Sequence, residues 1–169
     1  MRKDGNNMKK IFSVLIFLSL ILSLTSCSTI PSPQITEAEF PFEIVYEVDG
    51  ETIKINDVYV CKFDGIGWNE NTGKYRKWKG YVKSTGIDYL VLLDDGNLKF
   101  ACKLGSAAYY MNDPSWMGAE KFTPEIYYIR TYDSGGVASG VTGIEPMLEE
   151  YKLRLISWSL SDPIKNYFH

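Results

Sequence analysis

The sequence predicts a mainly β fold, a single antiparallel β-sandwich or partly open barrel of about seven or eight strands with at most short helical turns. Three observations carry that expectation. Ile, Val and Tyr alternate with polar residues in several separate stretches, the period-two pattern of half-buried strands. Two tight-turn signals, Asp49-Gly50 and Asp94-Asp95-Gly96-Asn97, lie between such stretches. No segment after the first thirty or so residues sustains the 3.6-residue period of a long amphipathic helix.

Taken in order, Phe40-Pro41-Phe42 opens the domain, and Ile44, Tyr46 and Val48 alternate with charged residues up to the first turn. Residues 51–55 return as a strand, Asn56-Asp57 predicts a bulge or turn, and 58–63 continue the strand. Residues 64–74 hold Gly65, Gly67, Asn69, Asn71 and Gly73 and predict a loop. Residues 75–83 regain strand character, and 88–93 and 98–104 flank the second hairpin. Residues 106–111 suit a short helical turn or an irregular strand, and 112–123 a long loop holding Trp116. A strand is expected over 125–132 and a mobile glycine-rich loop over 134–143. Glu145-Pro146 could open one helical turn, and residues 150–160 read as a last strand, with a helix as the alternative.

The N-terminus has a different logic. Arg2, Lys3, Lys9 and Lys10 precede an apolar run over residues 11–24, too short for the ~20 residues of a comfortable permanent span. Leu24-Thr25-Ser26-Cys27 then closes the run with small residues and a cysteine. This arrangement resembles the lipobox of bacterial lipoproteins. The resemblance implies diacylglyceryl transfer to the Cys27 thiol and cleavage between Ser26 and Cys27. A thiol is the most nucleophilic side chain for making such a thioether. An ordinary cleaved signal or an uncleaved anchor are the alternatives, and small residues directly before a lone cysteine argue against both. Met8 is a second candidate start. Residues 28–39, with Pro31 and Pro33, read as a flexible tether from the lipidated cysteine, reaching roughly 40 Å if extended. The globular domain is expected over 40–169. It resembles the uncharacterised small Firmicutes-type surface lipoproteins, which implies an address at the cell membrane or outer membrane, facing the extracytoplasmic side.

Removing residues 1–26 takes away four basic side chains and Asp4, so the net charge of −3 falls to −6 for the part that folds. An acidic balance argues against nucleic acid or anionic lipid headgroups as the main partner, since both reward basic patches. Cys61 and Cys102 remain, both in strand-like segments on what read as inward faces. An oxidising compartment makes a disulfide the expectation, stabilising by roughly 4 kcal/mol on a chain-entropy estimate. Two buried free thiols are the alternative. No cofactor is called for, and two cysteines with one terminal histidine are too few for a metal site.

Histidine catalysis has only His169 to draw on, and no nucleophile elbow, phosphate loop or dinucleotide fingerprint is present. The acidic residues leave a carboxylate-pair hydrolase open without identifying the pair. The constellation that does stand out is aromatic and basic: Trp68, Tyr75, Trp78 and Tyr81 among Lys74, Arg76, Lys77, Lys79 and Lys83. Planar rings beside cations suit sugars, anionic cell-wall polymers or a protein partner. Trp68, Tyr75, Trp78 and Trp116 are therefore the candidate ligand-binding residues. The leading expectation is a lipid-anchored extracytoplasmic binding or interaction module, more a binder than an enzyme. An envelope carbohydrate hydrolase and an accessory or inhibitor subunit of an envelope protein are the alternatives.

Overall fold

Strand β1 (Glu37–Val48) turns the alternation into one wall of the core. Phe40, Phe42, Ile44 and Tyr46 are buried, while the residues between them are exposed or half-buried, as a pleated strand with one dry face requires. The computed structural model describes residues 30–115 and 123–169. After β1 come β2 (Glu51–Asn69), β3 (Gly73–Val82), β4 (Tyr89–Asp95), β5 (Leu98–Lys103) and the helical turn α1 (Ala107–Tyr110). Then follow β6 (Glu125–Thr131), β7 (Val137–Gly140), a second turn α2 (Glu145–Glu150) and β8 (Arg154–Leu160). All pairing is antiparallel, in two four-stranded sheets ordered β3-β2-β1-β8 and β4-β5-β6-β7. Phe40, Ile44 and Tyr59 from the first sheet and Leu90, Phe100 and Cys102 from the second merge into one core. The mainly β, eight-strand architecture is the one that the alternation predicts.

Local chemistry explains the joints. Asp49 and Gly50 both take positive φ, 49° and 85°, the twist-matched geometry of a two-residue hairpin. Pro41 lies inside β1, which has neighbours on both sides, yet the β1–β8 ladder begins only at Phe42. The missing proline N–H therefore costs that ladder nothing. Buried tyrosine hydroxyls link the layers: Tyr46 donates to the Leu92 carbonyl at 2.9 Å and Tyr59 to the Gly105 carbonyl at 3.1 Å. Tyr110 donates to the Leu104 carbonyl at 2.7 Å, and its ring meets those of Phe40 and Tyr59.

The structure corrects several local expectations. Residues 64–74 are not a loop but the far half of the β2–β3 hairpin, closed by a turn at 70–72. The Asn69 carboxamide accepts from the Asn71 and Thr72 amides there, and Gly73 takes φ 70°. Asn56 and Asp57 pair regularly with Glu43 and Phe42, while the register breaks between Phe63 and Ile66, where Gly65 takes φ 88°. Part of the expected glycine-rich loop forms β7 on the edge of the second sheet.

Most of residues 28–39, expected as a tether, belongs to the folded unit. Pro33 bridges Phe168, the Gln34 amide donates to the Tyr167 carbonyl at 2.7 Å, and β1 begins at Glu37. The compact unit accordingly starts at Pro31. Distant tail residues supply the partners that the prolines and small polar residues lack locally. The tail is equally fixed, since His169 exchanges both backbone bonds with Ser32.

The disulfide is not formed: Cys61 on β2 and Cys102 on β5 are buried free thiols. Cys61 pairs across from Gly80, whereas Cys102 pairs across from Leu90 and Ile126 in the other sheet. Each fills its own layer as a small apolar side chain. Burial pushes the Cys102 thiol up to about 12 and Cys61 higher still, so neither forms thiolate at neutral pH. Maleimide labelling should therefore leave both unmodified in the folded chain and modify both after denaturation without reductant. Failure to label in denaturant would show a bridge instead.

Candidate functional site

A cleft of about 600 Å³ opens where edge strand β3 meets the second sheet. Trp78, Lys79, Gly80 and Tyr81 of β3 form one side, with Tyr59 of neighbouring β2 behind them. Gly86, Ile87 and Asp88, from the connection between the sheets, form another. Lys103 at the end of β5 and residues 105–107 at the start of α1 complete it. The chain crosses from one sheet to the other at 83–88, and this crossover is what holds the two sheet edges beside each other.

The chemistry of the walls is mixed. Tyr59, Trp78 and Tyr81 supply aromatic surface, and Lys79, Asp88 and Lys103 supply exposed charge. Lys103 Nζ stands 5.4 Å from the Tyr127 ring centroid, within cation–π range. Burial first, and then the Asp88 carboxylate, push the Tyr127 phenol upward, so it stays a neutral hydroxyl at neutral pH. Ser106 caps α1, its hydroxyl accepting from the Ala108 amide at 3.2 Å. This orders the backbone at the cleft mouth.

Gly80 and Trp78 show how the local sequence builds the cleft. An added Cβ at Gly80 would overlap the Tyr59 hydroxyl, so this strand glycine answers a close approach rather than a turn. Trp78 is held by a buried ion pair. Its indole N–H donates to Asp113 Oδ2 at 2.7 Å, and Arg76 Nε and Nη2 grip the same carboxylate at 2.7 Å each. The Ser115 amide and hydroxyl donate to Oδ1 at 2.8 and 2.6 Å. The Asp113 side chain is 0 % exposed and that of Arg76 7 %. Burial alone would push the Asp113 carboxyl up, but the hydrogen bonds from Arg76, Ser115 and Trp78 outweigh it and hold it well below the usual carboxylate range. Arg76 Nη1 also donates to the Pro31 carbonyl at 3.1 Å, and its guanidinium lies 4.6 Å from the Phe168 ring centroid.

Of the four ligand-binding residues expected from sequence, Trp78 lines the cleft. Trp68 and Tyr75 do not: Trp68 is exposed near the hairpin end, and Tyr75 lies against Gly67 across the strand pair. Trp116 falls outside the described residues, as do Ser26 and Cys27. Lys103, Asp88 and Ser106 were missed. They come from separate segments, and no local spacing connects them to β3. Asp113 was also missed, its one local sign being the Asp-Pro-Ser run of a side-chain-capped turn. Among the described residues no group of three His, Cys, Asp or Glu could hold a metal ion, and no helix is long and apolar enough to cross a membrane. No family model, curated protein or solved structure matches the chain.

Proposed function

We propose that the chain is a lipid-anchored extracytoplasmic binding module that receives a segment of anionic envelope glycan in the cleft along β3. The observation that carries this reading is the pairing of aromatic walls with Lys79 and Lys103 in one open groove. Aromatic faces stack on sugar rings, and ammonium groups meet carboxylate or phosphate substituents. The resemblance to a lipobox at Cys27 supports delivery to the envelope, where such polymers are found. The hydrolase alternative gains less support, because Asp88 is the one carboxylate among the described lining residues. Glycoside hydrolysis across a bond ordinarily uses two.

The test compares binding of the mature chain to neutral and to uronate- or phosphodiester-bearing glycans by calorimetry. Lys79 and Lys103 are exposed, so the double variant Lys79→Glu, Lys103→Glu should keep its thermal midpoint. It should lose roughly 10–100-fold in affinity for the anionic glycans, about 1.4 kcal/mol per tenfold. Equal affinity for neutral and anionic polymers, or binding of neither, would sink the proposal.

A further inference from the structure

We infer that the hairpin face carrying Ile66 and Trp68 rests in the headgroup layer of the membrane that holds the anchor; this inference depends on lipidation of Cys27. Trp68 is 66 % exposed and Ile66 43 %, at the far end of the β2–β3 hairpin, where neither residue lines the aromatic cleft. Ile66 pairs directly across from Arg76 and Trp68 across from Lys74, so these four side chains share one face.

The same face receives the start of the folded unit. Arg76 holds the Pro31 carbonyl at 3.1 Å and lies over Phe168, which bridges Pro33. Tyr167, 59 % exposed, belongs to that tail segment. Pro31 is therefore fixed beside the hairpin face, and it is four residues beyond Cys27.

Chain length decides the geometry. Four residues span at most ~14 Å, whereas the polar layer on each side of a bilayer is itself about 5–7 Å thick. An anchor at Cys27 thus keeps the surroundings of Pro31 at the lipid surface and leaves no room for a stalk of ~40 Å. The exposed large apolar groups there are Trp68, Tyr167 and Ile66, with the exposed Lys74 on the hairpin face beside them. Trp and Tyr are the residues that favour the membrane–water interface, and the short lead makes their contact with lipid effectively intramolecular. Tertiary folding of the tether thereby sets the orientation of the domain on its membrane.

The experiment uses the full chain, purified with its acyl groups and reconstituted into phosphatidylethanolamine–phosphatidylglycerol vesicles containing lipids brominated on the acyl chains. Intact mass reads diacylglyceryl at Cys27. Bromine should quench the tryptophan fluorescence of the wild type, and Trp68→Phe should abolish most of that quenching. Trp158→Phe, on β8 at the opposite edge of the sheet, should retain it. An acylated chain quenched equally with and without Trp68 would overturn the seating and leave the anchor standing. A chain lacking the diacylglyceryl mass would overturn both.

Discussion

Asp113→Ala should destabilise the domain by about 3–5 kcal/mol, the usual cost of leaving one partner of a buried ion pair uncompensated. Set against the ~5–15 kcal/mol that holds a domain of this size together, the loss is a large fraction of the whole. Both side chains are almost fully enclosed, so solvent does little to screen the remaining guanidinium. The variant also frees the Trp78 indole N–H and the Ser115 amide and hydroxyl, which share the carboxylate. Denaturant titration with an unchanged m value reads the loss directly. A change below about 1 kcal/mol would show that the pair contributes no more than an exposed salt bridge.

The pH dependence follows with a definite sign. The Asp113 carboxyl is depressed in the folded state, so its stabilisation is complete above the ordinary carboxylate value near ~4. It is lost progressively as pH falls toward the depressed folded value. Asp113→Asn should therefore narrow its stability gap to the wild type on acidification below about pH 4. Arg76→Lys should not restore the wild-type value, because a point ammonium cannot reproduce the two-pronged grip on Oδ1 and Oδ2.

Gly80→Ala should cost about 1–3 kcal/mol through overpacking and should weaken glycan binding in the same variant. The new methyl would meet the Tyr59 hydroxyl and ring. That ring cannot easily yield: it packs against Tyr110 with centroids 5.5 Å apart, and its hydroxyl is bonded to the Gly105 carbonyl at the cleft mouth. Tyr59→Phe alone should cost about 1 kcal/mol for the lost hydrogen bond. In the Gly80→Ala background the same change should cost less, since it removes the nearest of the Tyr59 atoms that the methyl meets. Additive effects in that double-mutant cycle would refute the steric account.

These two variants mark where sequence reasoning stops. Asp49-Gly50 and Gly96-Asn97 announce their hairpins because positive φ is a property of one or two residues. The β1 alternation announces its core face for the same local reason. Residues 64–74 misled because glycine and asparagine favour loops in isolation, and a long ladder to β3 overrides them. The Asp113–Arg76 pair lies 37 positions apart, and no period or spacing connects the two.

The tether shows the same division. Ser32 to Ile35 lack local partners, and only the arrival of the C-terminal tail supplies them, while Thr36 to Glu39 pair with β2. The sequence alone determined the antiparallel β class, the tight turns and the resemblance to a lipidation signal, because each rests on chemistry confined to a few neighbouring residues. Tertiary structure decided the cleft, the buried ion pair behind Trp78, the free state of Cys61 and Cys102 and the pairing of residues 32–39 into the domain. Each of these depends on which distant segments fold against one another, and burial and pairing energies are settled only once they do.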